Sequence, residues 1–308
     1  MKVFIDGQVG TTGLQLEGRL RKRSDIQLLE IEPDLRKDYA AKQTIMDQAD
    51  VIFLCLPDNE AKISAEMAPK NALVIDASTA HRTTIGWAYG LPELSHKHRE
   101  AIATGHRIAV PGCHACGFNA MVYPLVSSGL LPLDACINCT SLTGYSGGGR
   151  SLIETYETNR LPDDALHAPQ PYALGLAHKH LPEMKAISGL ANPPHFYPVV
   201  GDMAQGMLVT IHLWAGQFTK AVSPEIIREQ LSKHYQDAYF INVLDTSDDN
   251  GFLDPTACNG TNNIDIMVFG HDKQILIAAR LDNLGKGASG AAVQCMNIAC
   301  GLDERTGF

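Results

Sequence analysis

One stretch near the start of the chain restricts its fold more than any other. Gly7-Gln8-Val9-Gly10-Thr11-Thr12-Gly13 comes directly after the apolar run Val3-Phe4-Ile5 and leads into Leu14, Leu16 and Leu20 at helical spacing. A strand that enters a helix through three glycines makes a tight turn, admits close backbone approach, and points a helix N-terminus at an anion. The spacing is G-x-x-G-x-x-G, one residue longer than G-x-G-x-x-G between the first two glycines. The next sixty residues keep the same βαβ rhythm. Ile26 to Ile31 reads as a second strand, Val51 to Leu56 as a continuous apolar strand stopped by Pro57, Ala61 to Met67 as a helix, and Ala72 to Asp76 as another buried strand. Strands apolar on both faces, separated by helices, predict a Rossmann-type, doubly wound parallel sheet.

The texture changes after about residue 114. Cys139 to Thr143, Met207 to Trp214 and Gln274 to Leu281 read as longer strands, and Leu208, Thr210, His212 and Trp214 alternate with Val209, Ile211 and Leu213. Such alternation predicts a second, α+β domain with a mainly antiparallel sheet, one face of it wet or covered by another subunit. Pro224 to His234 reads as an amphipathic helix capped by Ser223, and small residues recur from Lys286 to Cys300 in a helical segment. The expected organisation is therefore a nucleotide domain over 1–114 and a substrate and oligomerisation domain over 115–284, with the 285–308 segment still to be allotted.

Composition narrows the partners. A formal net charge of −9 disfavours nucleic acid or an anionic membrane surface, and no apolar run approaches 18 residues. The chain opens directly on a strand, with no charged and then apolar leader, so the cytoplasm is the expected compartment. Among eight cysteines, Cys113/Cys116 and Cys136/Cys139 form two C-x-x-C pairs at zinc-ribbon spacing. The second pair lies in an extended stretch, where residues three apart face opposite ways, so no metal is expected.

Four groups carry chemistry. Glu30 and Glu32 close the second strand and would suit the free ribose of NAD, whereas Arg36 and Lys37 would suit a 2′-phosphate. Pro111-Gly112-Cys113 ends an apolar strand and precedes the helix-like Phe118-Asn119-Ala120-Met121-Val122-Tyr123, which sets Cys113 at a helix N-terminus that favours a thiolate and a developing oxyanion. His178-Lys179-His180-Leu181-Pro182-Glu183 offers two histidines on one face of an extended segment as general acid or base, with Glu183 to orient one. Ser146-Gly147-Gly148-Gly149-Arg150 reads as a loop that wraps an anion while Arg150 grips it. Nucleotide fold, activated thiol, histidine base and anion loop together define thioester reduction of an acyl phosphate.

At this point the chain resembles the N-acetyl-gamma-glutamyl-phosphate reductases of arginine biosynthesis, in their shorter form. The resemblance rests on the glycine turn and Asp76-Ala77-Ser78-Thr79-Ala80-His81-Arg82. It rests also on Tyr89 to Leu94, Pro111-Gly112-Cys113, Gly144 to Arg150, the H-x-H-x-P-E at 178–183 and Asp282 to Gly290. It implies NADP(H) as cofactor, held by Gly7, Gly10, Thr11, Thr12, Gly13, Arg36, Ser78, Arg82 and Asn283. It implies Cys113 as nucleophile, His180 with His178 beside it as acid/base, and Arg150, Ser146, Gly147, Glu183 and Asn119 around the substrate. It further implies that the 285–308 helix packs back on the cofactor domain. The alternating strands of the second domain suggest a sheet face buried between subunits of a homo-oligomer, dimer or tetramer. One departure stands out. The longer form has an aromatic residue and then proline after the cysteine, where this chain has His114-Ala115-Cys116. Two rival readings are an aspartate-semialdehyde dehydrogenase-like reductase and a catalytically silent NADP-binding sensor.

Overall fold

The computed structural model describes residues 1–158, 165–245 and 251–308, which form two compact units. One is built from 1–112 together with 288–308, the other from 113–287. The first begins β1 (Lys2–Asp6), α1 (Thr11–Leu20), β2 (Gln27–Leu29), α2 (Tyr39–Met46), β3 (Val51–Leu54) and α3 (Asp58–Met67). It continues with β4 (Leu73–Asp76), β5 (Ala88–Tyr89), α4 (His96–Thr104) and β6 (Arg107–Ala109). All six strands are parallel, in the order β2-β1-β3-β4-β6-β5. The register sets Asp6 opposite Leu54, Leu54 opposite Asp76 and Asp76 opposite Ala109, so four strands end level at one rim. That carboxyl rim is where a doubly wound sheet binds its ligand. The second strand is shorter than its apolar pattern suggests. It stops at Leu29, and Glu30 and Glu32 lie beyond it on the way into Pro33, which has no N–H for a ladder.

Both faces of this sheet are covered. Val3, Ile5, Val51, Phe53 and Ile75 meet Leu16 and Leu20 of α1 on one side; Phe4, Ile52, Leu54 and Val74 meet Met46 of α2 on the other. This two-sided burial is why the strands read as unbroken apolar runs.

The second unit comprises α5 (Cys113–Ser127), β7 (Asn138–Gly144), α6 (Gly149–Thr158), β8 (Gln170–Pro171), α7 (Leu181–Ser188) and β9 (His195–Gly201). After these come β10 (Met207–Trp214), α8 (Pro224–His234), β11 (Ile241–Val243), β12 (Ile264–His271) and β13 (Gln274–Leu281). Its sheet runs β11-β12-β13-β10-β7-β9-β8. Most pairs are antiparallel, but β7–β9 and β11–β12 are parallel, so the sheet is mixed. On β10, Val209, Ile211 and Leu213 are buried while Trp214 is 60% exposed, as the alternation requires. Ser223 caps α8 by accepting from the Ile226 N–H at 3.4 Å.

A π-helical turn, Gly285–Ser289, then leads into α9 (Gly290–Ala299). The helical segment is thus shorter than 285–308 and ends at Ala299, with Cys300 and Gly301 in a turn. Ala291, Ala292, Val293, Cys295 and Met296 join the same core as Val3, Ile75 and Val110 of the first unit.

Candidate active site

Cys113 is the first residue of α5, where helix N–H groups without intrahelical acceptors favour a thiolate. Its seat is shaped by a glycine. A Cβ on Gly287 would stand 2.7 Å from the Cys113 Cβ and 3.2 Å from its Cα, so only glycine lets the π-turn lie against the cysteine. One helical turn on, buried Cys116 donates its thiol to the Lys286 carbonyl at 3.5 Å, which ties α5 to the same turn. The two C-x-x-C pairs have separate fates. Cys136 is exposed before β7, and Cys139 is buried in it, its thiol pushed up by burial.

Around the thiol stands a histidine cluster. Single ligand atoms of Cys113, His114 and His180 lie within 4.8 Å of one another. The His178 and His180 rings meet edge-on with centroids 4.7 Å apart, and each is 5.4 Å from His114. Phe196 of β9 packs 5.2 Å from both His114 and His178. The extended conformation expected of the H-x-H segment is not what the chain adopts. His180 is helical at the N-cap of α7, its N–H donating to His178 Nδ1 at 3.1 Å, because Leu181-Pro182 starts a helix at once. The turn brings the two rings together where a strand would only have aligned them. Of the pair, His180 is the one buried and placed beside the thiol; Glu183 is buried in the first turn of α7. Ala173 and Leu176, before the histidines, have φ of 52° and 55°, a left-handed conformation that non-glycine residues adopt only under local constraint.

His114 itself is buried and fully engaged. Its Nδ1 meets Ser141 Oγ at 2.7 Å and its Nε2 meets the Tyr172 hydroxyl at 2.9 Å. Burial, with His178 and Lys179 adding to it, pushes the ring down to about 3, so it is neutral at any working pH. No sequence signal points to Tyr172 or Ser141. Both are ordinary strand or loop residues in sequence, and only the fold brings them to the ring.

The Gly144–Arg150 segment departs from a flexible loop. Tyr145–Gly148 form a 3₁₀ turn and Arg150 is the second residue of α6, exposed, so the arginine is borne by a helix. Tyr145 N–H donates to Met203 O at 2.9 Å and Ser146 N–H to Ala204 O at 3.2 Å, fixing the turn. Buried Ser146 accepts from Asn283 Nδ2 at 2.9 Å, while Asn283 Oδ1 accepts from Gly206 N–H at 2.9 Å. Asn283 therefore braces the Ser146 turn within the second unit through both ends of its amide. Asn119 has no exposed surface and lies within α5. Gly147 is exposed beside Asn283.

In the first unit, the glycine turn has the geometry its sequence requires. Gly7 has φ +90°, and a Cβ there would stand 2.2 Å from Cys55 O; one on Gly13 would stand 2.5 Å from Gly7 O. Gly10 caps α1, and Thr11 and Thr12 open it, partly exposed. Beside the turn lies a cavity of about 440 Å³ lined by Asp6, Gly7, Arg36, Lys37, Tyr39 and Lys42 among others. Lys42 makes a buried ion pair with Asp6 at 3.1 Å. Arg36 Nε is buried with no hydrogen bond among the described residues, an unanswered donor at the wall of this recess. After β4, Ser78 donates to Asp76 Oδ2 at 2.7 Å, and Arg82 donates to Val110 O at 2.9 Å and Ala77 O at 3.2 Å. Both are buried; they hold the loop, and Arg82 is engaged with backbone carbonyls.

Comparison with known proteins gives a consistent neighbourhood. Residues 15–104 match the NAD-binding domain of semialdehyde dehydrogenases, and residues 113–283 match their dimerisation domain. A Nostoc sp. protein named N-acetyl-gamma-glutamyl-phosphate reductase 2 is 44% identical over 100% of this chain and 99% of its own. A Pseudomonas putida protein of the same name is 43% identical, with 99% and 98% covered. Among solved structures, aspartate semialdehyde dehydrogenase II of Vibrio cholerae superposes with a TM-score of 0.71 at 16% identity, covering 97% of this chain and 98% of that one. The Candida albicans aspartate semialdehyde dehydrogenase, solved with NADP, gives 0.65 at 16%, with 96% and 97% covered.

Proposed function

The chain belongs to the N-acetyl-gamma-glutamyl-phosphate reductase family of semialdehyde dehydrogenases, and from that premise we propose how its residues divide the reaction. It is an NADP-dependent oxidoreductase of arginine biosynthesis that converts N-acetyl-glutamyl 5-phosphate to N-acetyl-glutamate 5-semialdehyde and phosphate. The observation that carries the assignment of roles is the meeting of Cys113 with His180 at the N-terminus of α5.

The Cys113 thiolate attacks the acyl carbon, the bond from that carbon to the phosphate oxygen breaks, and phosphate leaves with the carbonyl re-formed as a thioester. Helix N–H groups at the start of α5 stabilise the oxyanion on the way. NADPH, held at the glycine turn and Arg36, would supply the hydride for reduction of the thioester to the thiohemiacetal level. His180 supplies and then removes the proton on that oxygen, and Cys113 departs as thiolate when the C–S bond breaks and the aldehyde forms. His178, at the ring edge of His180, and buried Glu183 set the orientation of His180. Arg150 and the Ser146-Gly147 turn, braced by Asn283, face the anionic groups of the substrate.

The residues around the glycine turn fit NADPH. Gly7 and Gly13 let the turn close on Cys55 and on itself, so that Gly10, Thr11 and Thr12 open α1 with its N-terminus available to a pyrophosphate, and the unanswered Arg36 donor suits the 2′-phosphate. Ser78 and Arg82 act by fixing the loop that covers it. The 113–287 unit would also join two copies through the outward face of its sheet, where Leu208, Thr210, His212 and Trp214 align with Leu276 and Leu142 on neighbouring strands. Among the described residues no helix is long and apolar enough to cross a membrane, and we place the enzyme in the cytoplasm with its thiols reduced.

The test is a steady-state assay, run in the oxidative direction with phosphate, that compares N-acetylglutamate and aspartate semialdehydes, each with NADP and NAD. N-acetylglutamate semialdehyde with NADP should be preferred, and Cys113→Ser should abolish turnover while NADP still binds. Turnover surviving in that variant would remove the thioester route.

A further inference from the structure

We propose that Ser141, His114 and Tyr172 form a one-way hydrogen-bond relay that delivers the Tyr172 hydroxyl hydrogen to the acyl oxygen at Cys113. In it His114 and Ser141 are positioning residues and Tyr172 is a further catalytic donor. The relay rests on the assignment of Cys113 made above and adds three side chains to it.

Its direction is set by counting donors and acceptors. A neutral imidazole has one N–H and one bare nitrogen, and His114 is held neutral by its burial. The hydroxyls that flank it, at 2.7 Å and 2.9 Å, therefore cannot play the same part. One must donate to the ring, and the other must accept from it. Ser141 decides which. It lies fully buried on β7, whose neighbouring strands β9 and β10 pair with it on both sides, and its Oγ has no partner but His114 among the described residues. A buried hydroxyl hydrogen with no other acceptor is left unsatisfied unless it goes to the ring. So Ser141 donates to Nδ1, the ring proton sits on Nε2, and Nε2–H donates to the Tyr172 oxygen. The phenolic hydrogen of Tyr172 then points away from the ring, toward another acceptor.

That acceptor is at the reacting centre. His114 is the residue after Cys113 in the first turn of α5, and its ligand atom lies within 4.8 Å of both the thiol and His180. Tyr172 is only partly buried, so an incoming substrate can reach it. Burial, with the nearby Cys113 adding to it, pushes the phenol up and keeps it protonated as a donor. The groups that face the ring are Cys113, His178, His180 and Tyr172, with Lys179 close by, and none of them supplies an acceptor for Ser141. His180 moves protons in this site; the relay only orients one.

Two measurements test it. The wild-type tautomer of His114 is read by ¹⁵N NMR on histidine-labelled protein, with a Ser141→Ala spectrum to assign the signal. The expected form has bare Nδ1 and protonated Nε2. Kinetically, Tyr172→Phe should lower kcat about 10²-fold with KM within a few-fold, as removal of a preorganised donor does. Ser141→Ala removes the donor that fixes the tautomer, so a population with the proton on Nδ1, to whose Nε2 Tyr172 donates, becomes accessible. The substitution should lower kcat as well, and Ser141→Ala/Tyr172→Phe should be no slower than Tyr172→Phe alone. An Nδ1-protonated ring in the wild type overturns the relay, and that result needs no folded variant. Wild-type kcat in Tyr172→Phe, or losses that multiply in the double variant, would overturn it too. Wild-type turnover alongside an inert Cys113→Ser separates failure of the relay from failure of the thioester assignment.

Discussion

At the scale of single residues, the site is built on side chains whose protonation or size leaves no alternative. His114 titrates near 6.5 when unfolded and is pushed down to about 3 in the folded protein. Between those values the unfolded chain binds a proton that the native state refuses. The stabilisation is present in full above about pH 6.5 and is lost as pH falls toward 3, by up to about 1.4 kcal/mol per pH unit. Denaturant midpoints should therefore fall more steeply from pH 6.5 to 5 in the wild type than in His114→Gln; parallel curves would show that the ring does not stay neutral. Gly287 makes the opposite kind of demand, for absence of a side chain. Gly287→Ala should displace the Cys113 seat and lower kcat/KM by about 10–100-fold with NADPH affinity unchanged, which kinetics and a cofactor titration together would check. Cys113 and the H-x-H are legible in sequence because their types and spacing carry the chemistry. Tyr172 and Ser141 are not, since nothing local marks them and their approach depends on the fold of two distant segments.

At the scale of elements, legibility tracks the period of the pattern. The strands β1, β3 and β4 announce themselves because burial on both faces makes them continuous apolar runs. The alternation of β10 marks both its residues and its two faces. β9 and β12 are harder to see. Pro198 interrupts β9, and Met267 breaks the alternation of β12, buried between Ile266 and Val268. The anion segment misleads for a related reason. Three glycines look like a flexible loop, but the Tyr145 and Ser146 N–H groups, donating to Met203 and Ala204, fix a 3₁₀ turn that holds Gly147 and Gly148, and Gly149 already begins α6. The outward face of the second sheet carries the prediction that belongs here. If two copies join through this face as proposed, Trp214→Glu should shift the protein toward monomer in light scattering at micromolar concentration; an unchanged mass would rule this face out as an interface.

At the scale of the whole molecule, the last segment of the chain completes the first unit. Val293, Met296 and Ile298 of α9 are among the side chains it buries there, at about 1.5–3 kcal/mol each. Their sum is comparable with the roughly 5–15 kcal/mol that stabilises an average domain. A chain ending at residue 287 should thus lose cooperative melting of the first unit and its NADPH affinity while the 113–287 segment keeps its own transition; calorimetry with a cofactor titration would show it. Retained NADPH binding by that shortened chain would refute the dependence.

The same arrangement has a consequence for synthesis. When residue 112 leaves the ribosome, the six parallel strands are present but the helix that seals one face is not. The intervening segment takes about 10–35 s to translate at roughly 5–20 residues per second. Through that interval Val3, Ile5, Ile75 and Val110 border an open apolar seam. The layer that covers these residues closes only once residues 288–299 have been made.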